Sequence, residues 1–286
     1  PEGSEVTLSS AEKRLQVKSG KSRFNLQTLP AEDFPRLSVS ESGNNKFSIP
    51  QKLLKSMIGL VQYAMAQQDI RYYLNGMLLV LESNVLKLVA TDGHRLGYVS
   101  RTIESGEFKK QEVILPRKTI IELSKLLADS DDPVGIDLSQ SQARFTFGGI
   151  SLISKLVDGK FPDYTRVIPV DQPKHLRLKR LEILACLQRA AILTSDKFRG
   201  VRWVLSNGSL KIICTNTEQE EAQEELDVAY KGENLDVGFN VGYLLDVLNN
   251  LDVEEIDCGL GDANSSALVS VPGKDDFKYV VMPMRI

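Results

Sequence analysis

The chain repeats itself. Shifted by 124 positions, Gly76 falls on Gly200, Leu86-Lys87-Leu88 on Leu210-Lys211-Ile212, Thr91-Asp92 on Thr215-Asn216, and Ile121-Glu122-Leu123 on Leu245-Asp246-Val247. A spacing this long exceeds the roughly 20–50 residues of a solenoid repeat. The repeating unit is therefore a small domain used twice. Such duplication favours a scaffold built by internal symmetry over an enzyme organised around one pocket.

Each copy carries the same succession of patterns. Pro50 stands where a helix can begin, and Leu53, Leu54, Met57, Ile58, Val61, Ala64 and Met65 then share one helical face across residues 47–67. Strands are expected at 77–81, 85–90 and 96–102, with Asp92-Gly93 as a hairpin turn. A second helix follows Pro116, and more strands run to about 157. In the second copy, a helix is expected at 179–195, strands over 201–230, a helix at 240–251, and final strands ending at Val280-Val281. The fold class is α+β, with two helices packed on antiparallel sheets in each domain.

Two stretches lie outside the copies. Residues 6–28 alternate in short strand patterns around a Ser19-Gly20 turn and read as the last hairpin of a further domain. Residues 29–46, with Pro30 and Pro35, read as a linker, and Pro162 to Pro173 as another. The expected division is 1–43, 44–169 and 170–286: the end of one domain, then two complete ones.

Composition excludes several classes. The 286 residues are 42% hydrophobic and 26% charged, as in ordinary globular proteins, and no run approaches the ~20 apolar residues of a membrane helix. The opening PEGSEVTLSS is polar and unlike a signal peptide. Cys186, Cys214 and Cys258 are odd in number and show no CxxC spacing, which points to reduced thiols in the cytoplasm.

The net charge of −3 hides an uneven distribution. Lys52 and Lys55 lie on the first helix, Arg117, Lys118 and Lys125 on the second, and Lys179, Arg180 and Arg189 on the third. Three basic helices in an acidic protein point to an anionic partner met through phosphates. Glu218, Glu220, Glu221, Glu224, Glu225 and Asp227 crowd one strand region, and Lys13, Arg14, Lys18, Lys21 and Arg23 crowd the N-terminal hairpin. Like charges along a strand mark a protected edge, and these two edges are complementary.

No catalytic constellation emerges. His94 and His175 are the only histidines and fall in different copies. No GxSxG, HExxH or GxxxxGK[ST] motif occurs, no metal-ligand spacing is present, and no cofactor is expected. A nuclease would need clustered carboxylates for metal ions. A freestanding DNA-binding module would be basic overall, whereas this chain has a pI near 5.6. Ile70-Arg71-Tyr72-Tyr73, following a basic helix, suits base stacking or phosphate bracing.

Five segments carry a family likeness: Arg71-Tyr72-Tyr73-Leu74-Asn75-Gly76, Ala90-Thr91-Asp92-Gly93-His94-Arg95-Leu96, the run from Lys155 to Tyr164, Lys197-Phe198-Arg199-Gly200-Val201-Arg202, and the ending from Tyr279 to Ile286. Together they resemble the bacterial DNA polymerase III beta subunit, the replicative sliding clamp. The resemblance implies DNA-clamp domains, three per chain, with two chains closing a ring around duplex DNA without sequence readout. It also implies a non-catalytic processivity factor that tethers the polymerase III alpha subunit, the clamp loader, other polymerases and repair proteins through their linear peptide motifs.

The likeness further assigns residues. A peptide pocket between the second and third domains would use Leu74, Thr91, Gly93, His94, Arg95, Leu96, Pro162, Arg166, Val167, Phe198, Asn240, Tyr243, Ser266, Val280, Val281, Met282, Pro283, Met284 and Arg285. A loop touching DNA would use Gln68, Arg71, Tyr72 and Tyr73, to which the charge pattern adds Arg117, Lys118, Lys52 and Lys179. A head-to-tail dimer contact would set Arg14, Lys21 and Arg23 against Glu220, Glu221, Glu224 and Glu225, with Ile192 and Leu193 as an apolar contact nearby. Only the last third of a first domain is recognisable, so the 286-residue chain is expected to be mainly monomeric and the full-length protein a dimer.

Overall fold

The computed structural model describes residues 2–34, 45–104, 106–195 and 199–285. Most of the expected 29–46 linker falls outside them. The chain forms two compact units, residues 1–41 and 42–286.

The smaller unit holds one antiparallel sheet of β1 (Thr7–Ala11), β2 (Arg14–Ser19) and β3 (Ser22–Gln27), in that order. Register sorts its side chains by face. Leu8, Val17 and Phe24 align in one row and Leu15 and Leu26 meet in another, while Lys18 and Arg23, then Gln16 and Asn25, fill the rows between. One face is thus apolar and the other polar. The apolar face is open: Leu8 and Phe24 are 63% and 60% exposed.

The larger unit is built from the repeat. Its first copy runs β4 (Asn45–Pro50), α1 (Gln51–Val61), β5 (Gly76–Ser83), β6 (Val85–Thr91), β7 (Arg95–Thr102), β8 (Phe108–Pro116), α2 (Arg117–Leu126), β9 (Pro133–Leu138), β10 (Gln142–Phe147) and β11 (Ile150–Lys155). The second runs β12 (Lys174–Lys179), α3 (Arg180–Ala190), β13 (Gly200–Ser206), β14 (Ser209–Thr215), β15 (Glu221–Asp227), β16 (Leu235–Asn240), α4 (Val241–Asn250), β17 (Glu255–Leu260), β18 (Ala267–Val271) and β19 (Lys274–Val281). Strand–helix–four strands–helix–three strands therefore occurs twice, and β1–β3 show the antiparallel succession that closes each copy.

Each copy makes two four-stranded blocks. In the first they are β11-β10-β9-β4 and β7-β6-β5-β8; in the second, β12-β17-β18-β19 and β15-β14-β13-β16. Pairing of β19 with β7 fuses one block from each copy into an eight-stranded sheet, β12-β17-β18-β19-β7-β6-β5-β8. The copies are thus joined by backbone hydrogen bonds as well as by packing.

Burial on both faces explains why the central strands read as nearly continuous apolar runs. Along β5, Met77, Leu79 and Leu81 enter the helix-side core with Leu54, Met57, Ile58 and Val61 of α1, whereas Leu78 and Val80 enter a second core with Leu74, Leu96, Phe161 and Val280. Burying each such side chain is worth about 1.5–3 kcal/mol. At Gly97 of β7 a Cβ would lie 3.2 Å from the Val61 Cα, so this glycine lets α1 sit directly on the sheet.

Helix ends follow local chemistry. Pro50 and Pro116 precede α1 and α2 with φ of −58°, already set for a helix start. Helices prove shorter than the apolar pattern implied. The pattern over 47–67 continues past α1 into a 3-10 turn at Gln62–Ala64, and that over 179–195 leaves α3 for a 3-10 turn at Ala191–Leu193. Tyr72 and Tyr73 likewise lie in a 3-10 turn, Tyr72–Leu74, and not in an open loop. Among the described residues, no helix is long and apolar enough to cross a membrane.

Candidate functional site

The turn between β6 and β7 is tied down by its own side chains. Asp92 Oδ1 accepts from the backbone N–H groups of His94 and Arg95 at 2.9 and 3.1 Å, and Thr91 Oγ1 accepts from Gly93 N at 3.0 Å while donating to Arg95 O at 2.6 Å. Gly93 takes φ +90°, and the Arg71 guanidinium lies 3.0 Å from where its Cβ would be. Arg71 is held in turn by Asp69, whose two carboxylate oxygens accept at 3.0 and 2.8 Å. Those hydrogen bonds hold the Asp69 carboxyl down to about 2.

Beside this turn is a cavity of about 470 Å³ on the sheet face turned away from the helices. Leu96 and Val280 form its apolar floor, one from each copy across the β7–β19 pairing. Phe161, Pro162 and Tyr164 supply a wall from the segment between the copies, with Arg166 and Val167 beyond. Asp163 caps the 3-10 turn at Tyr164–Arg166 by accepting from Thr165 N, and pairs with Arg166 at 3.0 Å. Burial pushes the Tyr164 hydroxyl up to about 12.

The C-terminal residues close the side. Met282 N donates to His94 O at 2.8 Å and Met284 N to Gly238 O at 2.9 Å, so the strip crosses from the turn of one copy to β16 of the other. Met282 remains 46% exposed, an adaptable apolar surface at the rim. The cavity is mostly apolar, with convergent polar groups in Thr91, His94, Arg95 and Ser266, as suits a short amphipathic ligand.

Among the residues expected at a peptide pocket, the cavity gathers Leu74, Thr91, Gly93, His94, Arg95, Leu96, Pro162, Arg166, Val167, Ser266, Val280 and Met282. Others stand apart from it. Val281 alternates with Val280 along β19, so it points into the helix-side core with Tyr279. Asn240 is the N-cap of α4, its Oδ1 accepting from Gly242 N at 2.9 Å. Tyr243 lies under the Arg95 guanidinium, 4.4 Å from the ring centroid. Pro283, Met284 and Arg285 continue the C-terminal strip, and Phe198 lies outside the described residues. The sequence reading omitted Phe161 and Tyr164, whose adjacent aromatic positions near Pro162 were the available signal, and assigned Arg71 only to DNA.

The residues expected to meet DNA are on the surface with part of their charge already matched. Tyr72 is 56% exposed and packs edge-on against Tyr73, with ring centroids 5.9 Å apart. Gln68 takes a positive φ of 57° at the bend before them. Lys52 pairs with Asp131 and Lys179 with Glu182, at 2.8 and 2.9 Å, while half-buried Arg117 donates to Met65 O and Lys118 is exposed. Exposed pairs of this kind are weak and exchangeable, so these lysines can still reach a phosphate.

The edge residues differ in commitment. Arg14 and Arg23 lie in β2 and β3, with Lys21 in the turn between them. Glu224 is clamped by Arg189, whose Nε and Nη2 donate at 2.7 and 2.6 Å, and those bonds hold its carboxyl below the usual range. Glu220 accepts from Asn216, and Glu225 accepts from Ser209 at 2.6 Å. Glu221 is exposed at the start of β15. Ile192 is 78% exposed, whereas Leu193 packs against the core.

Such an arrangement defines a duplicated α+β scaffold that offers a binding groove on its sheet face. Among the described residues, no cluster of His, Cys, Asp or Glu could hold a metal ion. Residues 1–38, 48–163 and 165–285 match the N-terminal, central and C-terminal domains of the DNA polymerase III beta subunit. The chain belongs to that family, whose members are replicative sliding clamps: non-catalytic processivity factors that bind DNA and polymerase partners and dimerise. It is 50% identical to the beta sliding clamp of Pseudomonas aeruginosa over 275 residues, covering 96% of this chain and 75% of that protein. The Escherichia coli K12 beta sliding clamp is 46% identical over 286 residues, covering all of this chain and 78% of the relative. A crystal structure of the Pseudomonas aeruginosa subunit superposes with a TM-score of 0.93 at 49% identity, over all of this chain and 78% of that one.

Proposed function

We propose that the cavity at the β7–β19 junction receives linear peptide motifs of the polymerase III alpha subunit, the clamp loader, other polymerases and repair proteins. One observation carries this reading: a largely apolar groove, lined from both copies and from the segment between them, opens on the face opposite the helices. Duplex DNA would be met by Arg117, Lys118, Lys52 and Lys179 on the helix side, and by Gln68, Arg71, Tyr72 and Tyr73 of the bend between α1 and β5. A partner can then be held while the clamp slides, and tethering raises its effective concentration at the template.

In the same reading the chain divides at 43 and 169, works in the cytoplasm, and closes a ring dimer when full length. Arg14, Lys21 and Arg23 of one protomer would face Glu220, Glu221, Glu224 and Glu225 of its partner, with Ile192 and Leu193 beside them. Opposed strands would continue one sheet, and opposite charges would set its register.

The test is a calorimetric titration with a synthetic peptide carrying the clamp-binding segment of the polymerase alpha subunit. Removing residues 282–286 should weaken binding at least about tenfold, as loss of a central anchor does. Unchanged affinity would remove the cavity from consideration. Titrating duplex DNA in the same buffers should give weak, sequence-blind binding that falls steeply with salt, while peptide binding barely responds.

A further inference from the structure

Arg95 lines the peptide cavity, yet its guanidinium is spent inward. Nε donates to Asp92 Oδ2 at 3.0 Å, Nη2 to Tyr63 O at 2.6 Å, and Nη1 to Asp246 Oδ2 at 2.5 Å. The group is stacked over Tyr243 and lies 5.8 Å from the Tyr63 ring centroid, and Tyr279 Oη donates to Tyr243 O at 3.0 Å. Asp92, Tyr63 and Arg95 belong to the first copy; Asp246 and Tyr243 lie on α4 of the second. Asp246 is therefore the carboxylate that reaches across the junction to the residue bracing the cavity turn.

We infer that Asp246 is a positioning residue for the peptide site: through Arg95 it fixes the Thr91–Leu96 turn relative to α4, and so sets the shape of the groove before a ligand arrives. The Arg95 side chain is 11% exposed and that of Asp246 is 45% exposed. Removing the Asp246 carboxylate thus opens no internal void, but it deprives a mostly buried cation of the carboxylate that holds it to α4, leaving the stacking on Tyr243. A charge-assisted hydrogen bond is about twice as strong as a neutral one, and it also fixes direction. The turn would keep its own hydrogen bonds through Asp92 and Thr91 and its backbone pairing with β19 and Met282, while losing its charged tie to α4.

This inference rests on the cavity being the peptide site, and two measurements separate the two readings. Titrated with the same alpha-subunit peptide, Asp246→Ala should bind about tenfold more weakly and Asp246→Asn less severely affected, with unfolding midpoints close to the parent. In an Arg95→Ala background, Asp246→Ala should add nothing, because the carboxylate acts through that arginine. An additive loss would assign Asp246 a general role in α4 and overturn the proposal, as would a single variant that binds like the parent. Hydrogen exchange without peptide provides the independent readout: Asp246→Ala should speed exchange over residues 91–96, and an unchanged profile there overturns the inference. If the parent chain fails to bind peptide, the function proposed for the cavity falls, and exchange alone then decides the role of Asp246.

Discussion

β7 and β15 occupy the same place in the two copies but were given opposite tasks. Val99 pairs with Leu88, and Glu224 with Ile212; Leu88 and Ile212 are 124 positions apart, Val99 and Glu224 one more. On the outer face, Leu96 and Tyr98 of β7 correspond to Glu221 and Gln223 of β15. β7 is covered on both faces over its middle and bonded along its edge to β19, so Leu96 and Tyr98 serve one face and Val99 the other. β15 ends its sheet and alternates exposed Glu221, Gln223, Glu225 and Asp227 with half-buried Ala222, Glu224 and Leu226. One backbone plan thus yields a permanent junction or a charged edge, according to whether side chains favour burial or keep a free edge in water.

The sharpest way to break that comparison is to exchange residues between the strands. Val99→Glu puts an unpaired carboxylate in the core and should cost at least about 3 kcal/mol, read as a large fall in the urea midpoint. Glu224→Val should shift the thermal midpoint by only a few degrees, because Glu224 sits at a partly solvated edge. Comparable effects at both positions would mean that the strands are not alternative uses of one site.

Assembly is the next test. Sedimentation of the 286-residue chain should show mainly monomer at micromolar concentration, since β15 carries charge along its edge and the apolar face of β1–β3 is open. A stable dimer there would show that edge pairing suffices without a covered first-domain sheet. The smallest effect concerns pH. Hydrogen bonds from Arg189 lower the Glu224 pKa below its ordinary 4.5, against the opposing pull of burial. A lowered folded-state pKa stabilises above the unfolded value and loses that contribution as pH falls through the folded one. The stability gap between the parent and Glu224→Gln should therefore narrow between about pH 5 and pH 3. A constant gap would mean that the pair with Arg189 contributes nothing to the edge.

Much of the architecture was legible before any coordinates. The 124-residue shift identified the duplication, the apolar stripes located α1 and α2, the repeated order located α3 and α4, and Asp92-Gly93 marked the turn now seen at the cavity. Helix ends were less legible: continuing apolar residues cannot show where an α-helix tightens into a 3-10 turn, because both present a similar face over so few residues. The pocket was named from likeness, and strand alternation then separated Val280 from Val281, a distinction that depends on which face of β19 meets which core.

By itself, the sequence determined the repeat, the class of each element and the segregation of acid from base, since these follow from periodicity and composition along the chain. Only the tertiary structure decided that β19 joins β7, that the groove opens away from the helices, and that Arg95 is braced by Asp246, 151 residues distant. Those outcomes depend on pairing between segments far apart in sequence. Free strand edges of similar local character are distinguished by the packing of everything around them.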